Sequence, residues 1–260
     1  MKYKIGTISF AITAPSIGKK DNWELFLGTD DQQTEFELST PTTKRINRDI
    51  SYLEAPGSEK CFVLGDFIAL ADGKYKNICC WKDDENGIET VLAYIFYTHA
   101  VRRQMLQLHC ATIDDGGRGI LFLGPSGIGK TTQAERWAQY RGSAIINGDI
   151  GFVQRTPAGY TAWGTPWHGS SPYCLNASVP VKALVVLKQA PQNALRELTG
   201  FEKVREVSGS VFYPTWLEDG MELCTDTLNH LLSDLPVYRL DNRADEEAVR
   251  LLAAEIDRIS

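Results

Sequence analysis

No C-x-x-C pair occurs among the six cysteines, Cys61, Cys79, Cys80, Cys110, Cys174 and Cys224. That spacing opens most structural zinc sites and the thioredoxin-type redox motif, so neither is expected. The expectation is reduced, mostly buried thiols in a cytoplasmic protein. No long hydrophobic run occurs either. The most apolar helical stretch, Val91–Tyr97, falls far short of the roughly 20 residues that cross a bilayer. Met1-Lys2-Tyr3-Lys4-Ile5 carries two lysines but no apolar segment follows, so a signal peptide is not expected. There is no internal repeat, no low-complexity tract and no block of like charge. Positive charge is in deficit, with 27 Lys+Arg against 33 Asp+Glu and a net charge of -6. Non-specific nucleic-acid binding feeds on clustered positive charge, so neither nucleic acid nor membrane is an expected partner.

What is present fits an ordinary globular chain: 260 residues, 43% hydrophobic and 23% charged, enough for one large domain or two small ones. Residues 1–87 read as a β-rich module. Ile8, Phe10 and Ile12 alternate with small or polar residues, and Thr34–Leu38 alternates more weakly. Cys61–Leu64 and Phe67–Leu70 flank Gly65-Asp66 as a hairpin would. Tyr75–Trp81 adds a strand after the turn Asp72-Gly73. The polar break Asp83–Gly87 marks the domain boundary, and 88–260 forms the second domain. There, Ile88 to about Leu106 predicts a helix with Arg102-Arg103 in its last turn. Gln107–Ile113 and Gly119–Leu123 predict two strands. The turn Asp114–Gly117 between them is too short for a crossover, so they must pair antiparallel. Downstream come a helix with Ala134, Trp137 and Ala138 on one face, a strand Ser143–Asn147, and a hairpin from Phe152–Thr156 and Tyr160–Trp163. Val181–Leu187, nearly all apolar, predicts a doubly covered central strand. Pro236–Leu240 predicts a further strand, and a last helix from about Ala244 buries Val249, Leu252, Ile256 and Ile259.

The strongest signal is Gly124-Pro125-Ser126-Gly127-Ile128-Gly129-Lys130-Thr131, a G-x-x-x-x-G-K-T loop between an apolar strand and an amphipathic helix. The glycines let the backbone curl until several N–H groups point inward at phosphate oxygens. The helix directs its positive end at the same anion. Lys130 adds a full charge toward the β- and γ-phosphates, and Thr131 offers a hydroxyl to magnesium. Thr132, next along the helix, completes the nucleotide-contacting set. At average composition such a motif arises by chance in about one chain in a hundred of this length, and the strand-before, helix-after context makes chance rarer still. ATP and Mg²⁺ are therefore the expected cofactors. Ile145-Ile146-Asn147-Gly148-Asp149 is an apolar strand ending in an acid, which places Asp149 to hold magnesium opposite Thr131. Asp114-Asp115 lies at the far end of the strand leading into the loop and reads as turn residues. His99 and His230 read as structural, and Lys182 as solvated.

The run Leu108-His109-Cys110-Ala111, the short hairpin, the loop itself and the strand ending at Asp149 resemble the HPr serine kinase/phosphorylase catalytic domain. That domain shares its fold with phosphoenolpyruvate carboxykinases. The resemblance covers about residues 89–260. Gly164-Thr165-Pro166-Trp167-His168-Gly169, Asn176, Val179–Ala183, Gln189 and Asn193 look like a divergent branch whose members sit with peptide-modifying systems, lasso-peptide kinases among them. The resemblance implies an α/β P-loop kinase domain with a mixed sheet, preceded by the small β-rich domain; because every phosphate-binding feature lies after residue 108, residues 1–87 are expected to bind the acceptor or a partner. It implies Mg-ATP-dependent transfer of the γ-phosphoryl group to a serine hydroxyl of a peptide or small protein. Gly124, Gly127, Gly129, Lys130 and Thr131 would bind triphosphate and metal, and Asp149 matches the second acid of the family's Asp-Asp pair. Gly148 replaces the first acid, and His109, matching the histidine on the strand before the loop, is the substitute base. The catalytic set is thus Lys130, Asp149 and His109. A small-molecule kinase and a non-catalytic ATP-sensing module stay open as alternatives, as does a homo-oligomer. The loop Gly164–Cys174, with Ser170-Ser171, would close over the nucleotide or grip the acceptor.

Overall fold

Two large sheets and one short strand pair organise the computed structural model, which describes residues 1–17, 21–40, 44–45, 51–52 and 57–259. The chain divides into two compact units, Met1–His99 and Ala100–Ser260.

The first unit contains β1 (Lys2–Ile5), β2 (Ile8–Thr13), the single turn α1 (Asp21–Glu24), β3 (Phe36–Ser39), the short pair β4 (Lys44–Arg45) and β5 (Ser51–Tyr52), β6 (Ser58–Leu64), β7 (Phe67–Asp72) and β8 (Asn77–Cys80). Helix α2 (Glu85–Val101) follows. Six strands form one sheet in the order β1-β2-β3-β8-β7-β6. The β2–β3 and β3–β8 pairs are parallel, and the others are antiparallel. The alternation at Ile8, Phe10 and Ile12 sends those side chains into the core. Phe10 stacks on Phe36 at 4.9 Å and meets Phe96 edge-on at 6.0 Å, while Trp23 is fully buried. The hairpin expected around Gly65 is β6–β7, and Gly65 takes a positive φ of 59° there. His99 is structural, as expected: its Nε2 lies 2.9 Å from the Tyr75 carbonyl and its ring stacks on Phe36.

Helix α2 begins at Glu85 and ends at Val101, five residues before the end expected from the sequence. The boundary expected at residue 87 falls in its first turn, and the two units separate near its other end. Arg102 and Arg103 lie beyond the helix, in a turn where Gln104 adopts a positive φ of 54°. Met105 and Leu106 belong instead to the next strand, where they pair with Gln154 and Val153. An apolar Met-Leu pair fits either period, and the strand's long-range pairing decides between them.

The second unit runs β9 (Met105–Asp114), β10 (Gly119–Leu123), α3 (Lys130–Arg141), β11 (Ala144–Asn147), β12 (Ile150–Thr156), β13 (Gly159–Trp163), β14 (Ser178–Gln189), β15 (Ala194–Leu198), α4 (Phe201–Val207), α5 (Gly220–Asp234), β16 (Val237–Asn242) and α6 (Glu246–Arg258). Its mixed sheet turns on two long strands. The first half of β9 pairs with β12 and its second half with β10 and β11. Likewise β14 pairs first with β13, then with β10 and β16. The expected antiparallel β9–β10 hairpin is present, and β14 is central as its composition demands, parallel to both β10 and β16. β15 pairs antiparallel with β16, an edge strand absent from the expectations because Ala194–Leu198 alternates too weakly.

On one face of this sheet Ala111, Ile113, Phe122, Val185, Leu187, Tyr238 and Leu240 meet Ala134 and Trp137 of α3 and Val249, Leu252 and Ile256 of α6. Leu121, Leu123, Leu184 and Val186 point to the other face and are equally buried. Both faces are therefore covered. Gly142 closes α3 in a left-handed conformation, its N–H donating to Ala138. Asp245 caps α6 by accepting from Ala248 N–H.

Asp115 is more than a turn residue. Its side chain is 5% exposed and accepts from Arg118, Arg141 and Ser143 at 2.6 to 3.2 Å. Asp257 holds the same two arginines from outside. This cluster fastens the β9–β10 turn to the end of α3 and to α6. Burial pushes the Asp115 carboxyl up, but bonds from Arg141 and Ser143 and the two arginine charges outweigh it and leave it below its ordinary value. Asp115→Ala leaves the two guanidinium groups with the more exposed Asp257 alone and Ser143 without its acceptor, and should cost about 1–3 kcal/mol in urea unfolding near neutral pH. The carboxylate's contribution is complete above its unfolded pKa of about 3.9 and fades as pH falls through the lower folded value. The gap between wild type and variant should therefore narrow below about pH 4.

Candidate nucleotide site

The loop between β10 and α3 has the curled backbone its glycines require. Gly124, Gly127 and Gly129 have φ of 140°, 77° and 106°, values that favour glycine strongly. At Gly124 a Cβ would also press on Ile128 Cγ2 at 3.1 Å. Gly129 precedes α3 without offering any side-chain cap, which leaves the first N–H groups of the helix uncapped by a side chain. Lys130 is 6% exposed. Its ammonium donates to the carbonyls of Gly124 at 3.0 Å and Pro125 at 3.3 Å, folding back across the loop. Burial pushes its pKa down, against the opposing charge of Asp149. A cation in this setting gains by meeting an anion.

Thr131 Oγ1 donates to the carbonyl of Gly148 at 3.2 Å. This bond ties the first turn of α3 to the segment after β11, one residue from Asp149. Asp149 stands between β11 and β12, and its own carbonyl accepts from Cys110 N–H at 2.9 Å. Ile150 pairs with His109 across β12 and β9. That register sets His109 Nε2 3.1 Å from Asp149 Oδ1. Burial and the nearby Lys130 charge pull the His109 pKa below the ordinary imidazole value, while Asp149 pulls it up less strongly. Neutral imidazole therefore dominates at pH 7, free to take a proton. His109, the Lys130-Thr131 pair and Asp149, from three separate stretches of sequence, thus converge on one place.

Asn147, given no role of its own from the sequence, is the hub beneath Asp149. It is fully buried. Its Oδ1 accepts from the N–H groups of Asp149 and Ile150, both at 2.9 Å. Its Nδ2 donates to the carbonyls of Thr165 and Trp167, both at 3.1 Å. Asn147 thereby joins the acid's backbone to the loop Gly164–Cys174. That loop reaches the site closely. A Cβ on Gly169 would lie 2.3 Å from Asp149 Oδ2, and one on Gly148 only 1.9 Å from Ser171 Oγ. No acidic side chain could occupy position 148 without moving Ser171. Phe212, also missed from the sequence, sets its ring 6.5 Å from that of His109. It arrives through a bridge between Val211 and Leu108, a long-range pairing that leaves no local signal.

Among the described residues no group of three or more His, Cys, Asp or Glu side chains could hold a metal. One hydroxyl and one carboxylate, Thr131 and Asp149, nevertheless suit magnesium, which keeps several waters and takes its other ligands from phosphates. The cysteines lie outside this chemistry. Three of the six are buried, fewer than expected. Cys110, beneath the site, has its thiol pushed up to about 11 by burial. None of the described helices is long and apolar enough to cross a membrane.

The fold and site define an α/β protein with two mixed sheets and a phosphate-loop motif between a core strand and a core helix. A family model described as "ScmC: SynChlorMet cassette protein ScmC" matches residues 81–240, and the chain belongs to that family. Among solved structures the chain is similar to the Hpr(Ser) kinase/phosphatase from Coxiella burnetii. The match has 11% identity and a TM-score of 0.35, covering 58% of this chain and 98% of that one. No curated protein sequence matches the chain.

Proposed function

We propose that the chain is a Mg-ATP-dependent phosphotransferase that passes the γ-phosphoryl group to a hydroxyl, the acceptor being a serine of a peptide or small protein. The observation that carries this reading is the convergence of Lys130, Thr131, Asp149 and His109 at one end of α3. The backbone of 124–130 and the ammonium of Lys130 would cradle the triphosphate, with Thr131 and Asp149 holding magnesium. Bound magnesium would neutralise charge on the phosphoryl oxygens. His109, held by Asp149, would accept the hydroxyl proton. Phosphoryl transfer has a loose transition state, so positioning and electrostatics supply most of the rate, and one base can serve where related kinases use an extra acid. The β-rich first unit is proposed to bind the acceptor or a partner, since every phosphate-binding feature lies beyond residue 108. A family named for a cassette is in keeping with an acceptor made alongside the enzyme. The glycine at 148 also supports a second reading, an ATP sensor without transfer.

Thermal unfolding with ATP, with and without magnesium, tests the nucleotide half. Mg-ATP should raise the melting temperature and chelation should reverse most of the gain. No stabilisation by Mg-ATP at millimolar concentration would sink the reading. The base is tested by His109→Ala, which should slow transfer by about 10²-fold or more. Because burial and Lys130 hold this imidazole below its ordinary value, the wild-type rate should be flat at and above neutrality. It should fall only below about pH 6.5. The variant should lose that acid limb. An unchanged rate and profile would remove His109 from the chemistry.

A further inference from the structure

We propose that Ser171 is a phosphate acceptor within its own chain, a modification site built into the loop that covers the magnesium ligands. The proposal rests on the phosphotransferase reading above and extends it to a named hydroxyl. Three contacts carry it. Thr131 Oγ1 donates to the Gly148 carbonyl at 3.2 Å. Ser171 Oγ is packed against the Cα of that same Gly148, so closely that an added Cβ would lie 1.9 Å away. Gly169, two residues earlier, takes a φ of 57° and rests against the Asp149 carboxylate. The hydroxyl of Ser171 is therefore one residue's breadth from both groups assigned to the metal.

The loop is fastened there. Ser171 N–H donates to the His168 carbonyl at 3.0 Å, the His168 ring bonds the Ser171 carbonyl, and Cys174 Sγ donates to Thr165 at 3.2 Å. Ser171 is 8% exposed. Its Oγ accepts from Tyr173 N–H at 3.3 Å, and among the described residues its own proton has no acceptor. A hydroxyl held beside the metal ligands with its proton uncommitted is positioned as an acceptor is. The neighbouring Ser170 is exposed, and among the described residues no comparable contact fixes it.

In the transfer, Ser171 Oγ bonds to the γ-phosphorus of ATP as the bond from that phosphorus to the β–γ bridging oxygen breaks. The hydroxyl proton passes to the His109–Asp149 pair, and ADP leaves with the bridging oxygen. The product is phosphoserine. Its charge of about -1.5 to -2, placed beside Asp149, would repel the loop from the site.

The full chain, incubated with magnesium and ATP labelled at the γ-position, should gain one phosphate, and peptide mapping should place it at Ser171. The first-order rate constant should not depend on protein concentration, as transfer within one chain requires. Ser171→Ala should lose the label while keeping its thermal stabilisation by Mg-ATP, and Ser170→Ala should keep both. Stabilisation by Mg-ATP without labelling would overturn the proposal and leave the nucleotide-site reading standing. So would a label mapped to any other residue, or a rate rising with chain concentration. Absence of stabilisation in the wild type would overturn both. The proposal stands or falls on the map of the wild-type chain even if the Ser171→Ala protein fails to fold.

Discussion

Lys130→Ala should abolish the thermal stabilisation that Mg-ATP gives the wild type and reduce transfer by at least about 10²–10³-fold. At a hundred times its dissociation constant, a ligand that binds only the folded state adds about 2.7 kcal/mol. For a domain of this size that corresponds to about 5–10 °C. The ammonium sits almost buried and spends its hydrogen bonds on the Gly124 and Pro125 carbonyls. It is held below its ordinary pKa chiefly by desolvation, and a phosphate anion would relieve that penalty. Truncation removes this gain and leaves the loop's fold in place, because its shape comes from the glycine conformations. In the absence of ligand the variant should melt near the wild type, or slightly above, since a desolvated charge has been removed. A variant that still gained the full wild-type shift would move the nucleotide site away from this loop.

Asp149→Asn should separate binding from transfer. The backbone anchors that place residue 149 are its N–H to Asn147 and its carbonyl to Cys110, and both survive the substitution. An amide of the same shape can still contact His109. What disappears is the negative charge that would hold magnesium and that balances Lys130 and a protonated His109. Nucleotide should still bind, with magnesium adding little to its stabilising effect. Transfer should fall by about 10³-fold or more, since both metal placement and proton acceptance depend on that charge. The His109 imidazole should also titrate lower, because Asp149 is the group that raises it. Wild-type turnover in Asp149→Asn would assign the metal to another residue.

Much of this was legible from residue order because the signals are local. Glycine spacing, the apolar strand ahead and the amphipathic helix behind identify the loop without any long-range information. The brevity of Asp114–Gly117 dictates an antiparallel β9–β10 pair, and the unbroken apolar run of Val181–Leu187 dictates a central strand. What could not be read depends on pairings far apart in sequence. The end of α2 is decided by Met105 and Leu106 of β9 finding Gln154 and Val153 of β12, far along the chain. Asp115 looks like turn chemistry until α3 brings Arg141 back to it. Gly148 reads as a missing acid, yet the reason no side chain fits there is Ser171, which only the packed loop reveals. Asn147 resembles any Asn-Gly turn, and its buried bonds to Thr165 and Trp167 appear only once that loop is folded over it.

Phosphorus NMR of Mg-ATP incubated with the wild-type chain tests the central claim most directly. The account predicts that the γ-phosphate resonance of ATP declines as ADP grows, and that a phosphomonoester signal appears on protein or added hydroxyl acceptor. Lys130→Ala and Asp149→Asn should leave the ATP spectrum unchanged over the same time. ATP that binds, broadens and remains intact in the wild type would contradict transfer and make the chain a nucleotide sensor.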